Sequence, residues 1–511
     1  MSKTTSIGSA TIILAVFGLT GKAIGFFREV LFAYYFGISR EYEFYLVASV
    51  LPITLNSIAL YIYQNYFIPA YSKSEKLGKE FAAEFSKKNF LNAIFLAIVS
   101  LLILVLFRIP ILKVYIGSNL ISSKVELLFL IFCFTVPLSI IYGFLTAYSQ
   151  TQFNFKSPAI ASLSLNIFTI IALVIFKESS IIYIAIAYLI GVFVQTVILG
   201  KVSKIFLLFQ TKYSMTFKNS KFTVPLIVWI ILIEVVGQLY VLSDRYFLAK
   251  VDEGGIAAIN YATTIFLLPI SIFTLSITTA VMPKFSQLAV TNSKSELKEK
   301  VTSALINISL TFIPITLIFI FWGKEVIRIF YERGNFTIDS TNVTYEVLFY
   351  LSFSLVFYSL YGILNKLFYV YEEVKTLFII TVLGIAIKII FNFILVETLK
   401  QNGLAISTSL SYIVFFTVSL LIIQLRLRLV DFRSISTKFI IYLLNGFFSF
   451  LIVKLLFVWL TNESLLFDII KIILFLLLYY INNQLLKDRY QLILQNQILK
   501  FIPATYNKRK D

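Results

Sequence analysis

Fourteen apolar stretches, each long enough to cross a bilayer and parted by short charged loops, follow one another along this chain of 511 residues. About 20 consecutive apolar residues span a hydrocarbon core as a helix. The stretches fall at approximately 9–36, 42–70, 89–116, 125–149, 157–176, 180–200, 222–249, 255–282, 301–323, 343–370, 376–398, 403–424, 438–460 and 464–486. Barrel strands would read as segments of about 10 residues with alternating polarity, whereas Leu101 to Phe107 and Ile472 to Tyr480 do not alternate. With 59% hydrophobic residues, nothing is left over for a soluble domain. The expected fold class is an all-α polytopic membrane protein with 14 transmembrane helices, whose work lies within the membrane.

The formal charge of +18 is distributed by loop rather than gathered on one face, so no nucleic-acid partner is expected. Loop 72–88 carries Lys73, Lys76, Lys79, Lys87 and Lys88, loop 201–221 carries Lys201, Lys204, Lys212, Lys218 and Lys221, and the tail carries Lys508-Arg509-Lys510. Counting helices in order puts all three on one side. The intervening connections are poorer, with only Arg40 in 37–42, only Lys177 in 175–181 and no basic residue in 461–463. By the positive-inside rule both termini are cytoplasmic. The first segment lacks a cleavage site of small residues and is followed by more spans, which reads as a helix and not a removed signal peptide. The chain has no His, and its lone Cys133 lies in an apolar run. No metal site, disulfide or cofactor is therefore expected, and Cys133 reads as a small helix-packing residue.

The chain also repeats itself. Tyr142-Gly143 is followed 14 positions later by Lys156, and Tyr361-Gly362 by Lys375 at the same interval; Leu51-Pro52-Ile53 is echoed by Leu268-Pro269-Ile270. Both echoes have an offset near 218 residues. They predict two related six-helix lobes, 1–215 with helices 1–6 and 216–430 with helices 7–12, followed by 431–511 with helices 13–14 and the basic tail. An even number of spans in each lobe makes the repeats parallel, related by an axis along the membrane normal. Two such lobes suit transport by alternating access.

An ionisable residue inside a span costs about 2.5–3.5 kcal/mol on insertion scales, so each needs a partner or a watery cavity. The first span holds Lys22, Arg28 and Glu29, and Glu43 opens the second. Lys22 and Glu29 share one face with Gly25 between them, while Arg28 points about 100° away. Two readings stand: a structural network that locks helices 1 and 2, or an anion site in which Arg28 and Lys22 meet phosphate oxygens while the acids hold them in place. Further along, Glu234 and Gln238 lie in helix 7, where Asp244-Arg245 is either functional or an interfacial pair, and Lys388 lies in helix 11 beside Asn392. Lys366, Glu372, Glu373 and Lys375 read as a solvated rim, and Pro52, Pro137, Pro158, Pro269 and Pro283 as helix kinks. An enzyme is not expected. Gly21-Lys22 resembles the end of a phosphate-binding loop, but Val16 and Ala23 break that motif, and a chain without His has no Ser-His or Cys-His pair.

Taken in order, Gly21-Lys22-Ala23-Ile24-Gly25-Phe26-Phe27-Arg28-Glu29, Phe36-Gly37, Glu43-Phe44, Leu51-Pro52 and Phe67-Ile68-Pro69 resemble the opening of the MurJ/MviN family of lipid II flippases. Phe330-Tyr331-Glu332-Arg333-Gly334-Asn335-Phe336-Thr337 is similar to that family's signature between helices 9 and 10, continued by Tyr369 to Thr376, Gly403-Leu404-Ala405 and Thr408-Ser409-Leu410. Gln238 and Asp244 have the family's spacing in helix 7. The resemblance covers nearly the whole chain. It implies the multidrug/oligosaccharidyl-lipid/polysaccharide exporter fold, a bacterial cytoplasmic membrane, two lobes around a cationic cavity, and a polyprenyl-diphosphate-linked glycan and membrane lipid as partners.

In that family an arginine group holds the lipid diphosphate. Its first-helix members fall here on Lys22 and Arg28, whereas the arginines of helices 2 and 8 fall on Asn56 and Thr264, and the acidic position at the start of helix 2 is kept as Glu43. Half of the cationic group is thus neutral. A sibling role therefore stays open beside lipid II: flipping the lipid-linked repeat unit of a surface polysaccharide (O-antigen, capsule or exopolysaccharide). A cation-coupled drug antiporter would need an acidic cavity, for which Glu234 is one candidate, yet Lys22, Arg28 and Lys388 favour an anionic substrate. A scaffold without transport comes last, and no coupling ion is legible in the residues.

Overall fold

The structure, a computed structural model, describes residues 7–116, 121–176, 180–205, 224–247, 250–458, 464–486, 488 and 490. Lys177, Lys212, Lys218, Lys221, the connection 461–463 and the basic tail lie outside the described residues, as does the side chain of Arg245. The described residues form helices and their connections. The helices are α1 (Ile7–Phe36), α2 (Arg40–Ile62), α3 (Ile68–Leu77), α4 (Lys79–Leu106), α5 (Arg108–Ile116), α6 (Ser123–Cys133), α7 (Thr135–Thr151), α8 (Lys156–Ile175) and α9 (Ile182–Val202). They continue with α10 (Val224–Tyr246), α11 (Gly255–Pro269), α12 (Leu275–Val290), α13 (Lys294–Phe330), α14 (Ile338–Ser352), α15 (Leu355–Val370), α16 (Val374–Arg426), α17 (Phe432–Phe457) and α18 (Leu465–Leu485). Among the described residues ten helical segments are long and apolar enough to cross a membrane, and 11 when α14 and α15, bent by 47°, count as one span.

Several spans that read as continuous in the sequence are broken, and proline explains two of the breaks. Proline lacks the N–H that would bond to the carbonyl four residues back. Pro110 leaves the carbonyl of Leu106 without that donor, and α4 ends at Leu106; Pro137 does the same to Cys133, and α6 ends at Cys133. A π-helical turn, Tyr63–Phe67, joins α2 to α3, and a second, Ile270–Thr274, joins α11 to α12 directly after Pro269. Such single wide turns insert one extra residue and bend the helix.

Helix α16 has 53 residues, which would extend to about 80 Å if straight, far beyond a hydrocarbon core of about 30 Å. It turns back at Lys400, where φ is +50°. A Cβ on Gly403 would lie 2.7 Å from the carbonyl of Leu395, and Ser411 Oγ donates to the carbonyl of Gly384 at 2.9 Å. The element is therefore two antiparallel arms. Helices α8 and α9 meet in the same way: Ser164 Oγ donates to the carbonyl of Gly191 at 3.1 Å.

The chain divides into two compact units, and α16 contributes to both. The first holds residues 1–261, 333–340 and 389–404. In it α8 packs on α1 and α9, while α7 packs on α2, α4 and α9. Small residues let backbones approach closely in a membrane: a Cβ on Gly191 of α9 would lie 2.7 Å from Leu165 Cα of α8. The second unit holds residues 262–332, 341–388 and 405–511. There α17 and α18 pack on α13, with Tyr479 Oη donating to the carbonyl of Leu310 at 3.2 Å and Trp322 lying between Phe450 and Phe475. Outward faces carry exposed Leu102, Leu106, Leu421, Leu425 and Leu466, as lipid-facing surfaces should.

Candidate functional site

A buried polar cluster forms where α1, α2, α8 and the start of α11 meet in the first unit. Arg28 Nη2 donates to Glu29 Oε1 at 2.6 Å and Arg28 Nη1 donates to Asn166 Oδ1 at 3.0 Å. The other carboxylate oxygen, Glu29 Oε2, accepts from Tyr42 Oη at 2.8 Å and from Asn260 Nδ2 at 3.1 Å. Asn260 Nδ2 also lies 3.0 Å from Tyr42 Oη. The buried Nε of Arg28 has no hydrogen-bond partner. Tyr45 and Tyr188 lie close enough to act on the guanidinium electrostatically, and Phe132 packs between their rings at 5.1 and 5.4 Å.

Neighbouring residues frame the arrangement. Gly25, one turn before Arg28, faces Asn166, whose amide heavy atoms a Cβ there would meet at 4.0 Å, an ordinary contact. Tyr42 is clasped by Phe32 at 4.9 Å and Tyr261 at 5.3 Å, which fixes its hydroxyl over Glu29. A buried carboxylate must be paired and hydrogen-bonded, and Glu29, 8% exposed, meets three donors.

Arg28 and Glu29 are thus brought together, while the other sequence-derived residues have separate surroundings. Lys22 is exposed on α1, nearly two turns before Arg28. Glu43, 1% exposed, accepts from Arg40 Nη1 at 3.0 Å and from the backbone N–H of Ile256 at 3.0 Å. That places its charge at the N-terminus of α11, where free N–H groups and the helix dipole favour an anion. Asn56 Nδ2 donates to Thr135 Oγ1 at 3.3 Å, and Asn56 Oδ1 is buried without a partner. Asp244 Oδ1 accepts from Asn392 Nδ2 at 3.3 Å, and Glu234 Oε1 accepts from Gln238 Nε2, one turn along α10, at 2.7 Å. In the second unit Thr264 is half-buried and Lys388 is buried at 1% exposure. Tyr42, Asn166 and Asn260 did not stand out in the sequence.

Two signature stretches also meet. Asn335 donates from its backbone N–H to the carbonyl of Tyr34 at 2.9 Å and from Nδ2 to the carbonyl of Tyr35 at 2.6 Å, which occupies free carbonyls at the end of α1. Gly37 and Gly334 both have positive φ, +54° and +61°. A Cβ on Gly37 would fall 2.3 Å from the carbonyl oxygen of Asn335, and one on Gly334 would fall 2.4 Å from that of Tyr34, so only glycine fits either position.

Comparison with known proteins gives a consistent picture. A family model described as lipid II flippase MurJ matches residues 32–479. A probable lipid II flippase MurJ of Borreliella burgdorferi is 25% identical over 458 residues, covering 86% of this chain and 89% of its own. The lipid II flippase MurJ of Thermosipho africanus is 28% identical over 478 residues, covering 88% and 97%. Among solved structures, a lipid II flippase MurJ in an inward closed conformation superposes with a TM-score of 0.80 at 23% identity, covering 96% of this chain and 100% of that one. An inward-facing multidrug resistance MATE transporter reaches 0.64 at 15% identity, covering 83% and 98%.

Proposed function

The chain belongs to the lipid II flippase MurJ family, and from that premise we propose that it moves lipid II, the lipid-linked precursor of peptidoglycan, across the bacterial inner membrane. The substrate is a polyprenyl-diphosphate-linked glycan drawn from, and returned to, membrane lipid. No bond is made or broken, so the protein is a transporter and not an enzyme. We infer 14 crossings with cytoplasmic termini, in lobes 1–215 and 216–430 followed by 431–511, and movement by alternating access.

The observation that carries the site assignment is Arg28: a guanidinium within the span, held on one side by Glu29 and Asn166, with a buried Nε donor still unmet. It is the group assigned to the diphosphate, for which the planar fork of Arg is suited. Exposed Lys22, on the same helix, supplies a second cation as a point charge. Glu29 is the resident counter-anion, and Glu43 ties α2 to the start of α11. Asn56 and Asp244 in the first unit, and Thr264 and Lys388 in the second, are the further polar groups assigned to the substrate.

Complementation tests the function. Expressed as the sole flippase in cells depleted of their own lipid II flippase, the chain should sustain growth. No growth despite membrane-inserted protein would turn the assignment to the lipid-linked repeat unit of a surface polysaccharide, the reading that the neutral Asn56 and Thr264 favour.

A further inference from the structure

Arg28 faces a difficulty as an anion receptor. Its charge is already met by Glu29 at 2.6 Å, and a carboxylate that sits 8% exposed cannot simply be abandoned. Leaving a buried charge without partners is among the costliest changes a protein can make. The cluster contains an answer, because the two oxygens of Glu29 are divided between different kinds of donor. Oε1 faces the cation, while Oε2 accepts from two neutral groups, Tyr42 Oη and Asn260 Nδ2. When Arg28 turns to a phosphate, Oε2 keeps both of its donors.

We propose that Tyr42 and Asn260 are positioning residues that hold Glu29 as a parked counter-anion, so that Arg28 can exchange its carboxylate for the diphosphate of the substrate. The inference rests on the assignment of Arg28 to that diphosphate. Neither residue need touch the substrate. Their role is to lower the cost of parting Glu29 from Arg28. Asn260 lies on α11 and Tyr42 on α2, so the release of Arg28 is also tied to the place where those two helices meet α1.

The sign of the effect follows. Removing either donor leaves Glu29 more dependent on Arg28, and the substrate must then compete against a tighter ion pair. Tyr42→Phe keeps the ring that packs on Phe32 and Tyr261 and deletes only the hydroxyl. Asn260→Leu has nearly the same volume and deletes the amide. Each should weaken lipid II binding roughly tenfold, the size of one hydrogen bond to a charged group. Glu29→Gln removes the competing charge, so it should tighten binding by itself. In a Glu29→Gln background neither Tyr42→Phe nor Asn260→Leu should cost affinity, because there is no counter-anion left to park.

The experiment is a titration of lipid II into the purified full-length protein in detergent, carried out on wild type, the three single variants, the two doubles and Arg28→Ala. Thermal unfolding of each shows that it is folded, and Tyr42→Phe carries the test by itself if Asn260→Leu does not fold. Loss in the single variants that disappears with Glu29→Gln supports the proposal, since a purely structural role would give a loss that persists in the doubles. Unchanged or tighter binding in Tyr42→Phe, or an equal loss with and without Glu29→Gln, overturns it. Arg28→Ala separates the two assignments: unaltered binding there refutes the site itself, whereas loss there with no effect of Tyr42→Phe refutes only the parking of Glu29.

Discussion

At the scale of single residues, three donors converge on one buried carboxylate: Glu29 accepts from Arg28, Tyr42 and Asn260. Arg28 and Glu29 stand out in a sequence because ionisable groups inside an apolar span are expensive. Tyr42, Asn166 and Asn260 do not, since tyrosine and asparagine occur throughout such helices and nothing local marks the three that converge on Glu29. What brings them together is packing, with Gly25 against Asn166 and Tyr42 between Phe32 and Tyr261. The two readings of the first-helix charges, structural lock and anion site, do not exclude one another: Arg28 is engaged by Glu29 and Asn166, and its buried Nε has no partner. Replacing Arg28 by Ala should remove a charge-assisted contact of about 1.5–3 kcal/mol, a loss of roughly 10- to 100-fold in affinity for lipid II. Arg28→Lys should recover only part of it, because an ammonium does not grip a phosphate bidentately. Flipping rates in vesicles check both. A normal rate for Arg28→Ala protein that has folded and inserted would remove Arg28 from the site.

At the scale of elements, hydropathy located the helices, Pro137 marked one break and Pro269 stood directly before the second wide turn, whereas the break at Pro110 and the wide turn at Tyr63–Phe67 were not read from the sequence. The turn at Tyr63–Phe67 is as apolar and aromatic as the helix on either side, so periodicity cannot reveal that one turn there is wider. Helix ends outside the membrane follow more familiar rules. Asp431 is the N-cap of α17: its Oδ1 accepts the backbone N–H of Ser434 at 3.3 Å, and its Oδ2 accepts Ser434 Oγ at 2.6 Å. The Ser434 hydroxyl and N–H hold the Asp431 carboxyl below the usual aspartate range. A depressed pKa in the folded state means stability that is present above the unfolded value of about 3.9 and lost as pH falls through the folded value. Asp431→Ala should therefore lower stability by about 1 kcal/mol at neutral pH. Its difference from wild type should shrink as the pH drops below about 4. Asp431→Asn, which keeps the cap without the charge, should stay close to wild type at neutral pH and show no such dependence. Thermal unfolding in detergent across pH measures both; a deficit for Asp431→Ala that stays constant in acid would mean that the carboxylate is not what caps the helix.

At the scale of the whole molecule, the proposed repeat calls for paired contacts at corresponding positions, and two such pairs of contacts are present. Gly143 of α7 lies against Leu60 and Tyr63 at the first wide turn, and Gly362 of α15 lies against Thr274 at the second. Ser164 reaches the carbonyl of Gly191 across α8 and α9, and Ser411 reaches that of Gly384 between the arms of α16, with the serine and glycine exchanged between the two pairs. Apolar segments match by chance so readily that the sequence alone held only the Tyr-Gly and Leu-Pro-Ile echoes; the rest lies in which backbones approach. This parity has a consequence for topology. In the proposed topology four crossings between Glu299 and Arg428, two of them the arms of α16, would put both residues on one side of the membrane, together with Lys76, with Glu253 on the other. Were α16 to cross once, Arg428 would join Glu253. Cys133, the sole cysteine in the chain, is buried, so cysteines placed one at a time at these four exposed positions can be read without background. A membrane-impermeant maleimide should label Glu253→Cys in cells whose inner membrane is intact, and Lys76→Cys, Glu299→Cys and Arg428→Cys only after that membrane is opened. Labelling of Arg428→Cys in intact cells would reduce the count of crossings by one, and labelling of Lys76→Cys there would reverse the assignment of the termini.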